Sequence, residues 1–343
     1  MPDHSTPIVD AHLDLAYNAR SGRDLELTVA EVRAREHATE EQCMVTLPEL
    51  RRGGVAIAFA SIYVRPQHAY QDVDPVFDQA TWAEGRSQLD VYRRWEDAGL
   101  VRIIRDRGSL RDHLAAWRSD SLPGLLIGIE GAEPIRDPDE LPDWFGLGVR
   151  AIGPAWGPSR YSGGFASGWG RETGFTDMGR ELVAGMMELG MLLDLAHGSA
   201  TGWHEGIEIA TGFVACTHTS PREVVQMERM PDANLMRALA AAGGVVGLGL
   251  GNVFLDRGWW GDGSRAPVHL QRAAELLAMM AAAAGWDRVG IGSDLDGGMG
   301  LEESPVELQS IADERLLGDL VPSAAAGGVL GGNWIALLER VLP

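Results

Sequence analysis

Eight short apolar runs recur along this chain with helix-like segments between them, and that alternation limits the folds open to it. The runs are Ile8 to Leu15, Val55 to Val64, Leu125 to Glu130, Val149 to Trp156, Met191 to His197, Phe213 to His218, Gly244 to Leu250 and Arg288 to Asp294. Between them, Asp177 to Leu189, Ala233 to Ala241 and Leu270 to Gly285 keep a helical apolar stripe, as in Leu270, Ala273, Leu276, Leu277 and Met280. Strand and helix repeated eight times predict an α/β protein of the (β/α)8 TIM-barrel class, built as a single domain over residues 1–343. An open, doubly wound sheet is disfavoured. Such a sheet advertises a glycine-rich turn after its first strand, where this chain has Ala16, Tyr17 and Asn18. The later run Gly247, Gly249, Gly251 lacks the third glycine at the required offset and reads as a small-residue strand in a crowded barrel.

Charge and composition narrow the chemistry. All 29 basic residues are arginine, and the absence of lysine excludes a pyridoxal Schiff base, a Walker-type phosphate loop and a carbamylated lysine between two metals. A formal charge of −20 with no basic block excludes nucleic acid and anionic membrane surfaces as partners. Cys43 and Cys216 are too few for a disulfide framework, Met1 to Pro7 lacks the pattern of a secretory leader, and no apolar stretch suits a membrane span. A cytoplasmic protein is expected.

In barrels of this kind the working side chains stand at the C-terminal ends of strands. Groups with metal-ligand chemistry fall there five times. His12-Leu13-Asp14 ends the first run, and the strand period of two puts both side chains on one face, toward the mouth. Glu130 closes an otherwise apolar run, where burying a carboxylate without a compensating cation or donor is costly. His197 and His218 end consecutive runs. Asp294 and Asp296 share one face; Asp294 is preferred, because Gly297 and Gly298 finish the strand by Asp296, which is left to tie down the loop.

Any one of these alone reads more simply as a strand-end polar group or a helix cap. Together they form a mixed nitrogen and oxygen set suited to Zn²⁺ or a similar divalent ion. The set is too large for one tetrahedral site. Two ions ~3.5 to 4 Å apart need a bridging carboxylate, and without lysine Glu130 is the natural bridge. Asp294 is then placed to take a proton from the attacking water and pass it to a leaving amine.

At this point the chain resembles the membrane (renal) dipeptidase family, metallopeptidase family M19, a branch of the amidohydrolase-type barrels. The stretches that carry the resemblance are Val9-Asp10-Ala11-His12-Leu13-Asp14, Gly128-Ile129-Glu130-Gly131, Gly174 to Val183 running into Leu189 to His197, Thr217-His218-Thr219-Ser220, Gly292 to Gly297, and Gly331-Gly332-Asn333-Trp334. They stand in the family's order and cover nearly the whole chain. The resemblance implies two zinc ions per chain, with His12 and Asp14 on one, His197 and His218 on the other, Glu130 shared and Asp294 as proton carrier. It also implies an arginine on the substrate, for which Arg229 is the counterpart and Arg222 a competitor. A homodimer is the expectation from the bacterial members.

One departure stands out. Where the family ends the run corresponding to Val149 to Trp156 with a histidine that helps hold the substrate carbonyl, this chain has Trp156. His204 is the candidate substitute, with a helix-surface position as its competing reading. Loss of one such donor typically costs ~10² to 10³ in rate. The leading expectation is therefore a binuclear zinc dipeptidase, including peptides with a C-terminal D-residue. The alternative is a metal-dependent hydrolase of another small amide such as an N-acyl-D-amino acid, for which Trp156 supplies an apolar wall. A non-catalytic barrel ranks last, since all six candidate positions hold competent side chains. Trp259 and Trp260 read as lining the mouth or a subunit contact. The pairs Met186-Met187 and Met279-Met280 read as core, and Cys216 as a small buried residue rather than a further ligand.

Overall fold

The computed structural model describes residues 6–37, 41–66, 75–164, 173–256, 258–259 and 267–343. Among them are nine parallel strands: β1 (Ile8–Leu13), β2 (Val55–Tyr63), β3 (Arg102–Ile103), β4 (Gly124–Glu130), β5 (Val149–Gly153), β6 (Leu192–Asp194), β7 (Val214–Thr219), β8 (Val246–Leu248) and β9 (Val289–Ile291). Eight of them close a barrel in the order β2-β1-β9-β8-β7-β6-β5-β4. Closure comes from β2 pairing β4 in unbroken register from Ile57 opposite Gly124 to Tyr63 opposite Glu130. This is the (β/α)8 TIM barrel that the alternation of runs predicts.

The remaining strand, β3, is not signalled by any apolar run. It pairs with Gly124 and Leu125 at the start of β4, a stretch that β5 leaves bare because β5 joins β4 only from Ile127. Two residues are too few for periodicity to register. Several strands also stop before their apolar runs do. β5 ends at Gly153, β6 at Asp194 and β9 at Ile291, so Trp156, His197 and Asp294 each stand three residues past a strand end.

The helices pack on the barrel by the faces their sequences mark. In the helix Leu270–Ala284, the stripe Leu270, Ala273, Leu276, Leu277 and Met280 is buried. The helix Asp177–Leu189 starts at Thr176, whose hydroxyl accepts the Gly179 N–H at 3.0 Å, and stops at Gly190 in the left-handed region at φ 70°. The methionine pairs correct the expectation that both members are core. Met186 and Met280 are fully buried, but Met279 is 41% exposed and Met187 is only partly covered. Adjacent helical residues point ~100° apart, so one of each pair faces the barrel. Among the described residues no helix is long and apolar enough to cross a membrane.

The base of the barrel is plugged by the C-terminal segment. Trp334 is fully buried among Val9, Phe59 and Leu126, and its indole N–H donates to the Ile291 carbonyl at 3.0 Å. Glycines allow the tight approach higher up: a Cβ at either Gly247 or Gly292 would collide with the Thr217 carbonyl. Gly247 of β8 is therefore required by packing, as the small-residue run in the sequence suggests.

Candidate metal centre at the barrel mouth

A cavity of about 310 Å³ opens at the C-terminal end of the strands. Asp14, Glu130, His197 and Asp294 reach it from the barrel; Tyr17, Tyr63, Arg65 and Trp156 form one wall, and Met227, Arg229, Met230, Phe254 and Met299 the other.

Glu130 is the focus. Its Oε1 lies 2.9 Å from His197 Nε2, 3.4 Å from His218 Nε2 and 3.6 Å from His12 Nε2. The two nitrogens of His197 and His218 are themselves 2.9 Å apart. His12 Nε2 also stands 3.8 Å from Asp14 Oδ1 and 3.9 Å from Asp294 Oδ1. Two buried triads with donor atoms mutually within 4.8 Å result, His12-Glu130-His218 and His12-Asp14-Asp294. Asp294, read from the sequence as a proton carrier, thus also stands at ligand range of His12. Both His12 Nε2 and Asp14 Oδ1 are buried without a hydrogen-bond partner. Orphaned lone pairs converging from imidazoles and carboxylates fit divalent cations in chemistry and arrangement.

The backbone aims these groups in a way that a period of two would not. His197 and Asp294 adopt left-handed conformations at φ 63° and 57°, turning their side chains inward beyond the strand ends. Such geometry in non-glycine residues costs ~1 to 3 kcal/mol each and clusters at functional sites.

Electrostatics point the same way. Burial pushes Asp14 up to about 7 and raises Glu130 and Asp294 well above the carboxylate range, with Asp14 adding repulsion to both. Burial, reinforced by the Arg229 charge, brings His12 down to about 3 and takes His197 and His218 well below their usual range. The imidazoles are therefore neutral, with lone pairs available. The carboxyls resist joint ionisation unless positive charge arrives.

Arg229 is buried on the cavity wall. Its guanidinium lies 5.4 Å over the Phe254 ring, one nitrogen donates to the His218 carbonyl at 3.3 Å, and Nε has no partner. Its competitor Arg222 is spent on the loop, donating to the Met230 carbonyl at 2.6 Å and to the Glu228 carbonyl, and does not line the cavity. Trp156 does line it, with its ring centroid 5.9 Å from His197 and 5.4 Å from Tyr63. His204 sits exposed on the helix Ala200–Ile209.

Asp296 holds the loop by accepting the N–H groups of Met44 at 2.9 Å and Val45 at 2.8 Å. Cys216 is fully buried, its thiol pushed up by burial, and contacts the His218 carbonyl at 3.7 Å. Trp259 is buried in the core and does not line the cavity, which removes it from the mouth; Trp260 lies outside the described residues.

Sequence reasoning passed over Tyr63, although it ends β2 as Glu130 ends β4 and the same strand-end rule finds it. Tyr17 and Arg65 reach the wall from beyond strand ends, and no pattern marks them.

Residues 3–342 match the family described as membrane dipeptidase (peptidase family M19). An uncharacterized dipeptidase of Schizosaccharomyces pombe is 27% identical over 326 residues, covering 89% of this chain and 72% of that protein. Among solved structures, a metallopeptidase from Rhodobacter sphaeroides, bound to a phosphinate mimic of the dipeptide L-Ala-D-Ala, superposes with a TM-score of 0.81 at 23% identity, over 98% of this chain and 99% of that one. A metallopeptidase of family M19 called dipeptidase AC gives a TM-score of 0.82 at 23% identity, with the same coverage of 98% and 99%. With a family match that runs almost end to end and a barrel mouth that gathers cation-binding side chains, the chain belongs to the membrane dipeptidase family, peptidase family M19, and is a metal-dependent dipeptidase.

Proposed function

We propose that this dipeptidase holds two zinc ions through His12, Asp14, Glu130, His197 and His218 and hydrolyses dipeptides, including those with a C-terminal D-residue. The observation that carries the reading is the position of Glu130 Oε1 within 3.6 Å of three imidazole nitrogens. When bound, two such ions polarise a carbonyl and acidify the attacking water. The D-residue draws support from the L-Ala-D-Ala mimic bound by the Rhodobacter protein.

The chain's own residues divide the remaining work. Arg229, a buried cation with an unpartnered Nε on the cavity wall, receives the substrate's terminal carboxylate. Asp294 faces the cavity with Oδ1 3.9 Å from His12 Nε2, where its carboxylate takes a proton from the attacking water and passes it to the leaving amine. Trp156 covers the bridging Glu130 side of the mouth and excludes water from the reacting amide.

A second reading, hydrolysis of an N-acyl-D-amino acid, is favoured by the aromatic wall in which Tyr63 lies 5.4 Å from both Tyr17 and Trp156. Turnover of zinc-loaded protein on L-L dipeptides, L-D dipeptides and N-acyl-D-amino acids tests both. The main reading expects the highest kcat/KM on the dipeptides, with L-D members accepted. A higher value on N-acyl substrates installs the second reading, and no turnover on any of them sinks both.

A further inference from the structure

Two buried aspartates outside the proposed ligand set make the same connection on opposite sides of the mouth. Asp194, the last residue of β6, accepts the N–H of Ala196 at 3.0 Å and of Thr217 at 2.9 Å on Oδ1, and the Thr217 hydroxyl at 2.5 Å on Oδ2. Asp10, within β1, accepts the N–H of His12 at 3.0 Å and of Ser293 at 2.9 Å on Oδ1, and the Ser293 hydroxyl on Oδ2. Each acid thus clamps the residue two ahead of itself and a hydroxyl residue on or just beyond the neighbouring strand. In both cases that hydroxyl residue immediately precedes a mouth residue: Thr217 before His218, Ser293 before Asp294.

The two clamps differ in what the hydroxyl accepts. Ser293 Oγ takes the backbone N–H of Leu295 at 3.3 Å, whereas Thr217 Oγ1 lies 3.1 Å from His218 Nδ1. A hydroxyl has one proton, and Thr217 gives it to Asp194. Thr217 can then only accept from His218, which puts the imidazole proton on Nδ1 and leaves the Nε2 lone pair facing Glu130. The Thr217 carbonyl packs so near Gly247 and Gly292 that a Cβ on either would collide with it.

We infer that Asp194 with Thr217 and Asp10 with Ser293 are two separate positioning devices, the first for the His197 and His218 half of the cation site and the second for the His12, Asp14 and Asp294 half. The inference rests on the two-ion reading above. Neither pair lines the mouth cavity; each acts through the residues it orients, and outer partners of this kind typically change metal affinity ~10 to 100-fold.

The test combines zinc competition against a chelator with ¹⁵N NMR of the His218 ring in metal-free protein. Thr217→Val should weaken one of two ions ~10 to 100-fold and leave the other at its wild-type affinity. Thr217→Ser, which keeps the hydroxyl, should restore it. Asp10→Asn should weaken one ion, and its combination with Thr217→Val should weaken both. The NMR spectrum should show His218 protonated at Nδ1 in the wild type and in Thr217→Ser, with that preference lost in Thr217→Val. Two wild-type affinities in Thr217→Val, a double variant that weakens a single ion, or a wild-type His218 protonated at Nε2 would each overturn the proposal. A wild-type chain that binds fewer than two ions counts against the two-ion reading, and the NMR arm still decides the Thr217 device. Asp194→Asn repeats the tautomer test should Thr217→Val fail to fold.

Discussion

The two ends of the barrel are made from the same strands and solve opposite problems. At the base, Trp334 is fully buried with its N–H satisfied by Ile291, and the Asn333 amide donates to the carbonyls of Trp286 at 2.8 Å and Val289 at 2.7 Å. At the mouth, His12 Nε2, Asp14 Oδ1 and Arg229 Nε are buried without partners, and His197 and Asp294 hold left-handed backbone. The mouth carries unsatisfied polar atoms and left-handed backbone where charge must be handled, and the closed packing around Trp334 supplies stability that tolerates them. Substitutions at the two ends should therefore separate function from stability.

The largest separation is expected at Asp294. Asp294→Asn should lower kcat ~10³-fold or more, while the thermal midpoint holds or rises because the amide replaces a carboxyl whose ionised form burial and Asp14 disfavour. Steady-state kinetics beside a melting curve on the same preparation read both. A midpoint that falls with kcat would show that the mouth also carries the fold.

At the base the signs reverse. Trp334→Ala should cost ~3 to 5 kcal/mol in chemical denaturation and leave KM and metal content of the folded fraction unchanged. Altered KM in the folded fraction would break the contrast between the ends.

Within the mouth, Arg229→Met should raise KM ~10-fold or more with a smaller change in kcat if, as proposed, the guanidinium holds the substrate's terminal carboxylate rather than the scissile bond. Equal loss in both constants would assign Arg229 to the transition state instead.

The smallest effect sharpens the contrast. Glu133, in the loop beyond β4, is buried with both carboxyl oxygens unpartnered and is pushed up to about 8 by burial, from an ordinary value of 4.5. Between those values the folded chain keeps a proton that the unfolded chain has lost, so stability falls as pH rises from 4.5 to about 8 and is level on either side. Glu133→Gln should thus raise the melting midpoint by ~3 °C or more at pH 9 and leave it unchanged at pH 4. A gain of equal size at both pH values would trace the effect to packing.

Much of this was legible in the sequence because a barrel fixes where strand ends go. His12, Glu130 and His218 lie on strands, and apolar periodicity alone brings them to one end. His197 and Asp294 were found for their residue type; their inward aim comes from left-handed backbone, which no periodicity encodes. Arg229 is preferred over Arg222 by its place in the family pattern, and the loop hydrogen bonds of Arg222 show why that competitor does not reach the mouth. The positions of Arg65, Tyr17 and Trp259 follow from loop paths and side-chain packing, which local patterns do not specify. Asp10 and Asp194 were visible as acids in apolar runs, but their partners Ser293 and Thr217 are 283 and 23 residues away in the chain and are joined to them only by strand order.

In the proposed site a shared glutamate, Glu130, ties two cations into one mouth. Zinc stoichiometry by elemental analysis after equilibrium dialysis, on wild type and Glu130→Gln side by side, tests it most directly. About two ions per wild-type chain are expected, with both weakened by the single substitution. A wild-type chain without bound zinc, or a Glu130→Gln chain that keeps both ions at full affinity, would contradict it.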